Sequence, residues 1–124
     1  SRDIDQAIAS LFLTDLPGQI QILKKNLNLL QSDAQSVSGL TNFIQTLQAI
    51  IQGAKLVRIE PVAELGKNLE DYLKTVKEQK LKWNVDAELM INQILEFLEE
   101  LSQVPAKQLA SFISTRLENL NRFK

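Results

Sequence analysis

Apolar side chains recur along this chain at intervals of three and four residues, the spacing that places them on one face of an α-helix. Ile4, Ala7, Ile8, Leu11 and Phe12 open the pattern, and Leu16, Ile20, Leu23, Leu27 and Leu30 continue it. Pro17 and Gly18 interrupt it, so the reading is two helical pieces, Asp3 to Thr14 and Pro17 to Gln31, either separate or joined as one kinked helix. The stretch Ser32 to Ser38, with Asp33, Ser36 and Gly39 close by, is a loop. From Gly39 to Val57 the stripe Leu40, Phe43, Ile44, Leu47, Ile50, Ile51, Ala54 and Val57 makes the most regular amphipathic helix of the chain. Thr41, Gln45, Gln48, Gln52 and Lys55 take its opposite side, which turns Gln48 toward water. Glu60-Pro61 starts the next helix, because proline fits a first turn, and Val62, Leu65, Leu69, Tyr72, Leu73 and Val76 form its buried face. A polar turn follows across the charges from Lys74 to Lys82, with Trp83 packed over the end of the bundle. Asn84 is placed to cap a helix carrying Ala87, Met90, Ile91, Ile94, Leu95, Leu98 and Leu101. Pro105 opens a last helix bearing Leu109, Phe112, Ile113, Leu117 and Leu120. Connections this short join antiparallel neighbours, so the expected fold is all-α, an antiparallel up-down four-helix bundle with an additional C-terminal helix.

Composition narrows the class without naming a function. The 124 residues suit a single domain, read as 1–124, that buries roughly 65 to 70% of the surface of its unfolded chain. Fourteen basic against 15 acidic residues leave a formal net charge of −1, so no overall field draws the chain to nucleic acid or to an anionic membrane. With no cysteine and no histidine there are no disulfides and no thiolate or imidazole ligands, and neither a metal nor a cofactor is expected. The longest apolar runs fall far short of the ~20 residues of a spanning helix. The expected location is the cytoplasm. The runs Lys74, Lys77, Lys80, Lys82 and Glu96, Glu99, Glu100 read as solvated helix faces.

One segment carries a motif. Leu47-Gln48-Ala49-Ile50-Ile51-Gln52-Gly53-Ala54-Lys55, followed by Ile59 and Leu65, resembles the histidine-containing phosphotransfer (HPt) family, whose pattern runs roughly His-x-Leu-Lys-Gly-x-Ala and then a hydrophobic residue. The resemblance extends over most of the chain and is to the HPt domain at the N-terminus of chemotaxis-type histidine kinases. Phe12-Leu13 with Leu23, Leu27 and Leu30 looks like the family's first helix. Leu65-Gly66-Lys67-Asn68-Leu69-Glu70 looks like the helix after the motif, where the family often places a glutamate that polarises the imidazole. Ile50, Gly53, Ala54, Ile59 and Glu70 keep the family's character. Gln48 replaces the phosphoacceptor, Ile51 the usual lysine and Gln52 the usual glycine, and Arg58 stands where a second glycine is common.

A carboxamide has no nucleophilic lone pair comparable to that of imidazole, so phosphoryl transfer through Gln48 is not expected, and the chain is read as a non-enzyme. The resemblance then implies a non-catalytic docking or regulatory module of a two-component or chemotaxis phosphorelay, part of a longer signalling protein. Its partner would be a response-regulator receiver domain or a histidine-kinase catalytic domain. The expected partner-binding residues are Gln45, Gln48, Ile51, Gln52, Lys55, Lys67 and Glu70. Ile51 has two readings, an exposed apolar contact or a core residue, and its place in the stripe favours the core. Lys67 and Glu70 form an ordinary i,i+3 pair unless both face Gln48. Two alternatives stand beside this reading: a phosphotransfer domain of a sensor kinase inactivated by a His-to-Gln substitution at position 48, and a structural bundle that oligomerises through its first or last helix.

Overall fold

The computed structural model describes residues 5–78 and 82–121, with side chains up to Arg116. Asp3, Ile4 and Lys80, and the side chains of Leu117 and Leu120, lie outside that description. Helix α1 spans Gln6–Ser32, α2 Val37–Leu56, α3 Glu60–Lys77 and α4 Val85–Ser102; a 3₁₀ turn, Ala106–Gln108, leads into α5, Leu109–Asn121. The described residues are helices and connecting turns around a single apolar core. None of the described helices is long and apolar enough to cross a membrane.

The two pieces expected at the N-terminus are one helix of 27 residues with Pro17 inside it. Proline removes the amide that the Leu13 carbonyl would have accepted from, at a cost of about 3 kcal/mol in an isolated helix. The buried positions Ala9, Phe12, Leu16, Ile20 and Leu23 run through the interruption without a change of phase, and their burial holds the helix together. Asp5 starts it, its Oδ1 accepting from the amides of Ala7 at 2.9 Å and Ile8 at 3.2 Å.

Between α1 and α2 the Asp33 carboxylate accepts from the Gln35 amide at 3.0 Å, and Ser36 Oγ accepts from the Gly39 amide at 3.1 Å. That cap starts α2 two residues ahead of the sequence reading, and Gly39 lies inside the helix. Asn84 caps α4 as read, accepting from Ala87 at 2.9 Å. Trp83 is half-buried against the core. Pro105 opens the 3₁₀ turn, and α5 begins after it.

Close approaches fix how the helices run. A Cβ added to Gly53, late in α2, would lie 2.7 Å from Phe12 Cδ1, early in α1, while at the other end Gly39 sits against Leu30. A Cβ on Gly66 would lie 2.7 Å from Ile51 Cγ1. Helices α1 and α2 are therefore antiparallel and in near contact, and Gly66 lets α3 approach α2 just as closely. Helix α4 packs against both α1 and α3. Phe112 of α5 stacks on Phe97 of α4 at 6.1 Å, and the Arg116 guanidinium lies over Phe97 while pairing with Glu100 at 3.0 Å.

Helix α2 ends in a Schellman arrangement. The Ile59 amide donates to the Ala54 carbonyl at 2.8 Å and the Arg58 amide to that of Lys55 at 3.1 Å, with Arg58 at φ 62°. This left-handed conformation normally falls to glycine. Arg58→Gly is expected to raise stability by about 0.5 to 1 kcal/mol, the relief of the strained φ less the extra freedom of the unfolded chain. Urea unfolding of the two proteins checks it; an unchanged or lower midpoint at equal slope would count against the strain.

Candidate functional site

Gln48 lies midway along α2, half-buried, on the side that faces α3. Its Nε2 donates to Glu70 Oε2 at 2.7 Å. An ionised carboxylate only accepts, so the amide nitrogen must face Glu70 and the amide oxygen is turned away from it. Glu70 is only 4% exposed, and with Asn26 it is one of two polar residues buried among the described residues. Gly66, one turn earlier on α3, brings the two backbones close enough for this bond to form.

Two lysines compensate the buried charge. Lys74 Nζ lies 2.8 Å from Glu70 Oε2, and Lys67 Nζ lies 3.8 Å from Glu70 Oε1 and 3.2 Å from Asp71 Oδ1. Burial alone pushes the Glu70 carboxyl up. The Lys74 and Gln48 hydrogen bonds, with the charges of Lys67 and Lys74, outweigh it and hold the group below the ordinary carboxylate value. The same bond from Lys74 to Glu70, then the charge of Glu70, raises the Lys74 ammonium, against a smaller opposing effect of burial. Glu70 is thus a carboxylate at neutral pH, held between an amide on one helix and ammonium groups on its own.

Of the seven residues read as a partner surface, Gln48, Lys67 and Glu70 come together. Gln45, Gln52 and Lys55 are exposed along α2 on either side of Gln48. Ile51 is a correction: at 2% exposure it lies in the core against the Gly66 backbone and offers nothing to a partner. The i, i+3, i+4 stripe already placed it there. Glu70 is also withdrawn from the surface, and acts by orienting Gln48. Lys67 does more than form an isolated i,i+3 pair, because its nearer carboxylate is Asp71 and its more distant one is bonded to Gln48. Lys74 joins the group although it had read as part of a solvated basic run. The signal for it was available, four residues beyond a glutamate that a motif placed beside position 48.

The cluster offers hydrogen-bond donors and an outward amide oxygen on one face of α2 and α3, its two ammonium groups balanced by two carboxylates. Gln48 is an amide, and the Glu70 carboxylate is buried and paired with Lys74 and Lys67. Compared with family models, curated proteins and solved structures, the chain matches none of them, so the meaning of this cluster rests on its own geometry.

Proposed function

We propose that this chain is an HPt-like docking or regulatory module of a two-component or chemotaxis phosphorelay in the cytoplasm. It would bind a receiver domain or a kinase catalytic domain through the α2–α3 face around Gln48 and transfer no phosphoryl group itself. The observation that supports this reading most is the Gln48–Glu70 hydrogen bond at 2.7 Å. It joins the position where the HPt pattern carries its histidine to the glutamate that the pattern uses to polarise it. A receiver domain presents an acidic pocket, and the exposed Lys55 on the same helix as Gln48 supplies complementary charge.

The test is titration of isotope-labelled protein with candidate receiver domains. Amides of residues 45–55 and 67–74 are expected to shift in a saturable way. Lys55→Glu is expected to weaken binding about 10-fold, as reversal of an exposed charge that faces an opposite field. Absence of shifts on that face at high partner concentration, or shifts confined to another face, would sink the proposal.

A further inference from the structure

Helix α1 has a second apolar line besides the one it buries. Ile8, Leu11, Asp15, Gly18, Ile22, Lys25 and Leu29 follow one another at alternating steps of three and four residues, and all are exposed. Most sit one residue before a buried position, beside Ala9, Phe12, Leu16, Leu23, Asn26 and Leu30, so the line is turned about 100° from the core-facing stripe. Steps of three and four sustained over three heptads are the spacing by which one helix seats another. From Ile8 to Leu29 the line runs about 30 Å. Leu11 is 64% exposed and Ile22 46%, both large apolar side chains that the chain leaves open to solvent in good part.

The two charges and the glycine identify what fits there. When a second α1 is laid antiparallel on the first, Leu11 meets Leu29 of the second copy, Asp15 meets Lys25, and Gly18 meets Ile22. The two-fold axis repeats each match, so every position on the line from Leu11 to Leu29 is satisfied twice by the same sequence. A parallel pairing in register would set Asp15 against Asp15 and Lys25 against Lys25. Neither Asp15 nor Lys25 has an ion-pair partner among the described residues. Gly18 weakens the helix it interrupts, and a Cβ there would meet nothing within 4 Å, so packing inside the chain gives no reason for it. A neighbouring helix carrying Ile22 against it does. We infer that the exposed face of α1 is a self-complementary interface through which two copies of this chain form an antiparallel, two-fold dimer.

The inference is independent of the proposed receiver docking. Gln48 and Glu70 join α2 to α3, whereas the line is made of α1 positions alone. Sedimentation equilibrium of the whole chain from about 10 μM to 1 mM is expected to show a monomer–dimer equilibrium. Asp15→Lys and Lys25→Asp are each expected to weaken it about 10-fold, because each sets two like-charged pairs across the axis. The double variant Asp15→Lys/Lys25→Asp again faces opposite charges and is expected to return to within about twofold of the parent, with circular dichroism confirming equal helicity throughout. A monomer at the highest concentration overturns the inference. So does a dimer that neither single reversal weakens, or a double variant no tighter than the single ones.

Discussion

Replacing Gln48 with histidine is expected to create an acid-labile, base-stable phosphoryl adduct at a position whose native amide cannot form one. Glu70 Oε2 already accepts a hydrogen bond from the side chain at position 48. In the Gln48→His variant that oxygen takes the N–H of one ring nitrogen, which fixes the tautomer and leaves the lone pair of the other nitrogen toward water. The carboxylate also favours the imidazolium, so the variant imidazole titrates above its ordinary value of about 6.5. By linkage the stability this pairing adds is present below the unfolded-state pKa and fades as pH rises through the folded one. Nucleophilic reactivity shows the opposite trend and rises as the ring loses its proton. Phosphoramidate as a chemical donor, and a histidine-kinase catalytic domain with ATP, serve as the two phosphoryl sources, with phosphorus NMR as the readout. Adding Glu70→Gln to the histidine variant is expected to slow labelling about 10- to 100-fold, the usual loss when an orienting partner is removed. A folded histidine variant that neither source labels would show that position 48 lacks the access that phosphotransfer requires, and would weaken the HPt-like reading with it.

The helices themselves were legible in the sequence because burial repeats at their own period. Leu40, Phe43, Leu47, Ile50 and Ala54 face inward as their spacing requires, and Pro61, Asn84 and Pro105 mark boundaries with local chemistry that does not depend on the rest of the fold. The break expected at Pro17 fails for a reason no local rule contains. The cost of a missing hydrogen bond is set against an apolar face that stays in phase across it, and only the tertiary structure decides which is larger. Leu65, read into a buried face, is exposed, and so is Leu11 of the opening apolar pattern. A stripe shows that positions share a side of a helix, but it does not show how wide an arc the neighbouring helices cover.

The candidate site was legible in part, for a related reason. Gln48 and Glu70 stand out against a motif, and α-helical phase puts Gln48 off the core. That Glu70 is buried, and that Lys74 compensates it, depends on the distance between α2 and α3. Gly66 sets that distance by letting Ile51 pack against its backbone. In the sequence Gly66 is only a residue of poor helix propensity, and nothing in its neighbours specifies what will approach it.

The buried carboxylate is expected to make stability depend on acid in a way that a single substitution isolates. Glu70 is ionised at neutral pH and titrates below its ordinary value of 4.5 in the folded protein. Between the two values the unfolded chain binds more protons than the folded one, so stability rises with pH there. The contribution is fully present above the unfolded-state value and is lost as pH falls through the folded one. Glu70→Gln preserves shape and still accepts one hydrogen bond, but loses the charge that Lys74 and Lys67 compensate. It is expected to cost about 1 to 3 kcal/mol near pH 7, the range for charge-assisted hydrogen bonds to a group this enclosed. As pH falls through the folded-state value the parent carboxyl itself gains a proton, and the gap between the two proteins is expected to shrink toward zero. Paired urea titrations across that range measure the gap directly. A difference that persists undiminished in acid would trace the loss to packing of the substituted side chain. A variant as stable as the parent near pH 7 would mean that the cost of burying Glu70 cancels all it gains from its partners, leaving its bond to Gln48 as a matter of orientation alone.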